Sequence, residues 1–279
     1  MSEVVRADLC IIGAGSGGLS VAAGAAQLGR KVVLIERHKM GGDCLNYGCV
    51  PSKALIAAAA HAQTARDGAP FGVTAGELKI DFPRVIAHVR EVIAAIEPND
   101  SVERFEKLGV KVVKAHARFV SPAEVEAGGL RIQAKRFIVA TGSRPLVPPI
   151  PGLADTKYFT NETIFDNETL PDHLLIVGGG PIGLEMAQAF RRLGSRVTVL
   201  EAKAILPKDD PEAAAVVRDA LLSEGVVIRE NCKVVGASQT AAGPALQLES
   251  ATGSETITGS HLLLAVGRIA NTADLGLDA

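Results

Sequence analysis

Two stretches decide the fold: Leu9-Cys10-Ile11-Ile12-Gly13-Ala14-Gly15-Ser16-Gly17-Gly18 and Leu174-Leu175-Ile176-Val177-Gly178-Gly179-Gly180-Pro181-Ile182-Gly183. In each, four apolar residues run into Gly-x-Gly-x-x-Gly, a helix-forming run follows, and Leu28-Gly29 or Leu193-Gly194 closes it. A second apolar strand then ends on an acid, residues 31–36 on Glu36 and residues 196–201 on Glu201. Gly178, Gly183, Gly194 and Glu201 each lie 165 positions after Gly13, Gly18, Gly29 and Glu36, so one unit is written twice. The first glycine of such a unit makes the strand-to-helix turn, and the second lets the backbone approach a pyrophosphate. The third packs helix on strand, the helix N-terminus offers N–H donors, and the acid accepts from a ribose diol. A lone Gly-x-Gly-x-x-Gly is weak, but two complete copies point to two dinucleotide sites. Their candidate contacts are Gly13, Gly15, Gly18 and Glu36, then Gly178, Gly180, Pro181, Ile182, Gly183 and Glu201. The fold class expected is α/β, with two Rossmann-like dinucleotide-binding domains.

Composition narrows the partners. The 279 residues carry a net charge of -2 and no basic cluster, which leaves no electrostatic footprint for nucleic acid. Residues 9–26 are uncharged, yet Gly13, Gly15, Gly17 and Gly18 interrupt them, and Glu3, Arg6 and Asp8 precede them. A buried strand, turn and helix fits better than a signal peptide or membrane span, so a cytoplasmic protein is expected. Between the repeats, residues 51–65 suit an Ala-rich helix. Residues 82–108 suit an amphipathic helix broken near Pro98, and 110–113 and 137–140 suit strands. The Pro-rich run 144–152 marks a domain boundary.

Of four cysteines, Cys10 lies in an apolar strand and Cys232 stands alone, both read as packing or surface residues. Cys44 and Cys49 share the turn Gly41-Gly42-Asp43-Cys44-Leu45-Asn46-Tyr47-Gly48-Cys49-Val50-Pro51-Ser52-Lys53. A thiol pair in a reducing compartment is more often catalytic or metal-binding than structural. No second Cys pair or His cluster completes a zinc site, so no metal is expected. Gly48 and Asn46 are expected to supply the backbone freedom that folds the turn back. Cys49 falls just ahead of a helix, where a thiolate is favoured, and Lys53 follows one turn on.

That turn resembles the active-site segment of the pyridine nucleotide-disulfide oxidoreductases, whose pattern is Gly-Gly-Thr-Cys with a Cys-Ile/Val-Pro-Ser-Lys ending. The resemblance extends through Ala140-Thr141-Gly142-Ser143 and Ala265-Val266-Gly267-Arg268 and thus covers the whole chain in order. It is closest to the mercuric reductase and dihydrolipoyl dehydrogenase branch. It implies a first FAD-binding part over 1–145, an NAD(P)-binding domain over 146–270, and a return to the FAD domain at 271–279. It implies FAD near Glu36, Gly42, Asp43, Cys44, Lys53, His116, Ala117, Thr141, Gly142 and Ser143. It implies a nicotinamide nucleotide near the second Gly motif, Glu185, Glu201, Val234 and Gly267. NAD(H) is expected over NADP(H), because Glu201 would repel an extra phosphate, although Lys203 stands nearby.

By the same resemblance, Cys49 faces the flavin, Cys44 exchanges with substrate, and Lys53 pairs with Glu185 beside the flavin. Electrons would pass between nicotinamide, flavin and the Cys44–Cys49 disulfide to a small-molecule or protein-bound disulfide, a dithiol or a metal ion. Asp43 departs from the usual Thr, and its charge is expected to disfavour the Cys44 thiolate. The family continues past the length seen here into a dimerisation domain, so a homodimer is expected of the complete protein and a truncated chain of this one. The alternative is a nucleotide-binding fragment without disulfide turnover.

Overall fold

The computed structural model describes residues 3–279. In chain order the first strands and helices are β1 (Val4–Ile12), α1 (Ser16–Gln27), β2 (Val32–Ile35), α2 (Gly42–Asn46), α3 (Cys49–Arg66), α4 (Phe82–Ile96) and α5 (Val102–Lys107). Strands β3 (Lys111–Val113), β4 (Ala117–Ser121), β5 (Glu124–Ala127), β6 (Leu130–Val139) and β7 (Ser143–Pro145) follow. The second repeat opens with β8 (His173–Val177), α6 (Pro181–Leu193), β9 (Arg196–Leu200), α7 (Pro211–Ser223) and β10 (Val227–Arg229). It closes with β11 (Lys233–Thr240), β12 (Gly243–Ser250), β13 (Gly253–Thr258), β14 (His261–Leu264) and β15 (Arg268–Ala270). The helix break expected near Pro98 is a short 3₁₀ turn, Glu97–Asp100, between α4 and α5.

The chain divides into two compact units. One contains the residues up to Val50, Glu91–Arg144 and Ile269–Ala279; the other contains Pro51–Arg90 and Pro145–Arg268. The first unit is built on a six-stranded sheet of order β3-β2-β1-β6-β5-β4. Strands β3, β2, β1 and β6 run parallel, with Leu9 opposite Val32 and Val33 opposite Lys111, while β5 runs antiparallel to β6 and β4 antiparallel to β5. The hairpin into β6 turns on Gly128 and Gly129, both at positive φ (57° and 79°), which a two-residue turn of this kind requires. Cys10, Ile12, Val33, Ile35, Val125 and Ile132 are buried on one face of the sheet. Ile11 and Leu34 are buried on the other, in one cluster with Leu19 of α1 and Phe105 of α5. Each full burial of a Leu or Ile contributes about 1.5–3 kcal/mol.

The second unit repeats the parallel part as β10-β9-β8-β14, but its antiparallel strands β11-β12-β13 form a separate sheet. The two sheets enclose Leu175, Val177, Leu200, Leu246, Leu248, Leu262 and Leu264. The sequence groups residues 1–145 together, whereas residues 51–90 pack with this second unit. Side chains explain it: the Phe82 ring lies 5.9 Å from that of Phe190, Arg66 Nη1 donates to the Arg192 carbonyl at 2.5 Å, and Arg90 pairs with Glu168 at 2.8 Å. An Ala-rich helix pattern tells that a face will be covered, not what covers it. Among the described residues no helix is long and apolar enough to cross a membrane.

Candidate active site

The first Gly turn leaves β1 with Gly13 at φ +108°, where a side chain would strike the Ala140 carbonyl. A Cβ on Gly18 would strike the Gly13 carbonyl in turn, so the helix can lie this close to its strand only with glycine there. Gly15 is the N-cap of α1 and brings no side-chain acceptor, which leaves first-turn N–H groups for an external anion. Glu36, only 8% exposed at the end of β2, closes the turn. Its Oε2 accepts the Ala14 N–H and its Oε1 the His38 N–H, both at 2.7 Å. A carboxylate offers about four lone-pair sites, so about two remain for a ligand.

Glu36 lines a cleft with Arg37, His116, Ala117, Thr141 and Asn271. His116 Nε2 lies 3.1 Å from the Asp274 carbonyl, and Asn271 Nδ2 donates to the Thr141 carbonyl at 3.1 Å. Sequence reasoning missed Arg37 and Asn271. The one signal for Asn271 is its place just past Gly267-Arg268, where the chain re-enters the first unit.

The second turn copies the first atom for atom. Gly178 has φ +115° with its Cβ position against the Ala265 carbonyl, and Gly183 abuts the Gly178 carbonyl. Gly180 caps α6 without a side-chain bond, with Pro181 opening the helix. Glu201 Oε2 accepts the Gly179 N–H at 2.7 Å and Oε1 the Lys203 N–H at 3.0 Å, the counterparts of Ala14 and His38. Two clefts of about 520 and 330 Å3 meet at Glu201. The larger is lined by Pro148, Pro151, Cys232 and Val234, and the smaller by Ile182, Lys208, Gly267 and Arg268. Lys208 and Arg268 were not foreseen; both are cations near an uncapped helix start. On the same unit, Lys53 Nζ lies 2.8 Å from both carboxylate oxygens of Glu185.

The thiol turn is helical on both sides. The backbone freedom expected of Gly48 and Asn46 is found instead at Gly41 and Gly42, whose φ are +81° and +56°. A Cβ on Gly42 would sit 2.6 Å from Gly15 Cα, so this turn is seated backbone-on-backbone against the first nucleotide turn. Asn46 contributes its side chain rather than its dihedrals: Nδ2 donates to the Met40 and Gly42 carbonyls at 3.0 and 2.8 Å. Gly48 sits in close quarters, where a Cβ would lie 3.1 Å from the Asp43 carbonyl and Oδ2. Cys49 is the first residue of α3, inside the helix rather than ahead of it.

All four cysteines are thiols in this structure; Cys44 is half-buried and Cys49 exposed, while Cys10 and Cys232 are buried. Burial, then the hydrogen bond and charge of Cys49, push the Cys44 thiol up to about 11. An acid that adds to this is Asp100, which the sequence did not suggest. Asp100 sits over Gly41, its Oδ2 3.0 Å from the Cβ position there, and burial raises its own carboxyl. The Asp43 side chain lies beside Gly48, its Oδ2 3.1 Å from the Cβ position there.

The model of the family described as pyridine nucleotide-disulphide oxidoreductase matches residues 7–279. A mercuric reductase of Streptomyces lividans is 36% identical over 277 residues, covering 97% of this chain and 58% of that protein. A dihydrolipoyl dehydrogenase of Thermus scotoductus is 36% identical over 283 residues, covering 97% and 59% respectively. The solved Cu(II) complex of the HOCl-induced flavoprotein disulfide reductase RclA from Escherichia coli superposes with a TM-score of 0.82 at 30% identity, covering 98% of this chain and 59% of that one. The chain thus spans less than two-thirds of the length of these relatives. With both Gly turns, both terminal acids and the thiol pair inside the matched region, this chain belongs to the pyridine nucleotide-disulphide oxidoreductase family.

Proposed function

We propose that the chain is the nucleotide-binding and redox part of an FAD-dependent NAD(P)H:disulfide oxidoreductase in which Cys44 and Cys49 form the exchangeable disulfide. The observation that carries this reading is the seating of the thiol turn on the first nucleotide turn, Gly42 against Gly15. It brings an anion-ready helix start and a thiol pair into one piece of backbone. The residues fit FAD: Gly13, Gly15 and Gly18 leave room for a pyrophosphate, and Glu36 keeps lone pairs for a ribose. On the second unit Gly178, Gly180, Pro181, Ile182, Gly183, Glu201, Val234 and Gly267 fit a nicotinamide nucleotide, NADH in preference to NADPH because Glu201 repels a 2′-phosphate.

FAD, when bound, would take a hydride from the nicotinamide nucleotide and return the electron pair to a disulfide. The residues' own part is thiol exchange. The Cys44 thiolate attacks a substrate disulfide sulfur, forming a mixed disulfide and releasing one substrate thiolate. The Cys49 thiolate then attacks Cys44 Sγ, releasing the second thiolate and closing the Cys44–Cys49 disulfide. Cys44 must lose its proton before attack, and the burial that holds its pKa up makes this the step most in need of a base. The substrate is a disulfide, a dithiol or, as the names of the mercuric reductase relatives suggest, a metal ion. A homodimeric cytoplasmic enzyme is the corresponding reading of the complete protein.

Purified protein incubated with FAD and then titrated anaerobically with NADH tests this. Loss of the oxidised flavin absorbance, with Cys44 and Cys49 moving together from disulfide to dithiol, is the expected result. Flavin that never binds, or a pair whose alkylation ignores NADH, would overturn it. A second reading, a nucleotide-binding fragment without disulfide turnover, is favoured by the protonated state in which burial holds Cys44. Flavin reduction without turnover of any added disulfide would select it.

A further inference from the structure

The loop after β9 holds the second nucleotide turn from behind. Ile205, 2% exposed, presses Cγ2 to within 2.7 Å of where a Gly179 Cβ would stand. Leu206 donates its N–H to the Gly179 carbonyl at 3.0 Å. This grip is itself anchored at a distance. Glu230, just past β10, accepts the Ile205 N–H on Oε1 at 2.7 Å. The same carboxylate is held by Arg218 of α7, with Nη2 at 2.7 Å from Oε1 and Nη1 on Oε2. The Glu230 side chain is only 18% exposed. Although burial opposes ionisation, Arg218 and the Ile205 N–H hold its carboxyl below the usual range.

The backbone on both sides of the anchor is unusual, most of all at Leu206, where a branched side chain disfavours a positive φ. Leu206 (φ +47°) and Asn231 (φ +52°) are two of the three non-glycine residues at positive φ among those described, and they flank the anchor on either side. Such conformations persist only where surrounding contacts over-determine them, and they gather at ligand sites. Asn231 also returns a bond, its N–H donating to the Lys203 carbonyl at 3.0 Å, so the segment from Glu201 to Leu206 is fixed at both ends. The first unit solves the same problem differently. There the loop after β2 supports its turn by laying Gly41 beside Gly15 in a β-bridge.

We propose that Glu230, oriented by Arg218, is a positioning residue of the nicotinamide-nucleotide site, holding the Gly179 turn and the Glu201 loop in their ligand-ready form without touching the ligand. The role rests on the reading of that turn as a nicotinamide-nucleotide site. It predicts that losing Glu230 loosens a turn two contacts away and weakens nucleotide binding on the second unit only.

The test compares the full chain with Glu230→Ala, Glu230→Gln and Arg218→Met by amide hydrogen exchange and by NADH titration. In Glu230→Ala, exchange at Gly179, Ile205 and Leu206 should quicken and the NADH Kd should rise about tenfold, the equivalent of one charge-assisted hydrogen bond. Glu230→Gln keeps an acceptor for Ile205 and should lose only about threefold. Arg218→Met should fall between the two and carries the test if Glu230→Ala does not fold. FAD binding to the first unit should be unchanged throughout. If the parent binds NADH and Glu230→Ala binds it within about twofold, or leaves Gly179 exchange unaltered, the positioning role is wrong and the functional reading stands. If the parent itself binds no NADH, the functional reading fails and takes this role with it.

Discussion

Replacing Cys49 by serine should make Cys44 a faster nucleophile at neutral pH, the reverse of what losing a partner usually does. In the reduced pair Cys44 carries the last proton, with a pKa of about 11 against an ordinary 9.0. At pH 8 only about 0.1% of it is thiolate. Burial is the largest cause and would survive the substitution, whereas the negative charge of Cys49 and the hydrogen bond its thiolate accepts would not. Each unit of pKa removed gives about tenfold more thiolate, offset about threefold by its lower nucleophilicity, for a net gain of about three- to fourfold. The whole return to 9.0 would give about tenfold, and burial keeps the variant short of that. The assay is iodoacetamide alkylation of the reduced protein between pH 7 and 10.5, with Cys44 followed by peptide mass spectrometry. In the parent, the Cys44 rate should climb about tenfold per pH unit across that range without a plateau. A parent plateau below pH 9, or slower labelling of Cys44 in Cys49→Ser, would refute the account of why this thiol is held protonated.

Other outcomes follow from the same geometry. Gly42→Ala places a Cβ 2.6 Å from Gly15 Cα at a φ of +56°, so thermal unfolding should come roughly 4–10 °C earlier with loss of FAD affinity; melting curves with and without FAD check this. Glu36→Ala strands the Ala14 and His38 N–H groups and should weaken FAD binding at least about tenfold by calorimetry. Glu201→Ala should weaken NADH binding while narrowing its advantage over NADPH; equal binding of both nucleotides by the parent would contradict the preference. His173 and His261 are both held below the ordinary histidine range, chiefly by burial. Stability present above about pH 6.5 should therefore be lost as pH falls and the unfolded chain takes up protons first. Melting between pH 7.5 and 5 should show this dependence shrink in His173→Gln with His261→Gln.

The doubly written nucleotide turn was legible because everything it needs is local: a strand, three glycines at fixed spacing, and an acid one strand later. The cysteine pair was legible for the same reason. What escaped the sequence is held by contacts between distant residues. Nothing near Glu230 announces that its carboxylate reaches Ile205, and nothing near Asp100 ties it to Gly41 and Cys44. The Gly128-Gly129 hairpin was a readable signal that went unread, and with it the antiparallel half of the first sheet.

The two amide bonds held by Glu201 bear on any attempt to re-engineer nucleotide preference. The obvious exchange, deleting the acid to admit a 2′-phosphate, also withdraws the acceptor from the Gly179 and Lys203 amides. If Glu201 also sets nucleotide preference, as proposed, selectivity and loop geometry share one side chain, and a redesign must separate them. A Gln or Asn that keeps a carbonyl oxygen for Gly179, with a cation introduced elsewhere on the loop, is the substitution pattern this arrangement permits. Glu36 holds the Ala14 and His38 amides in the same way, so a substitution there disturbs the turn whatever it does to a ligand.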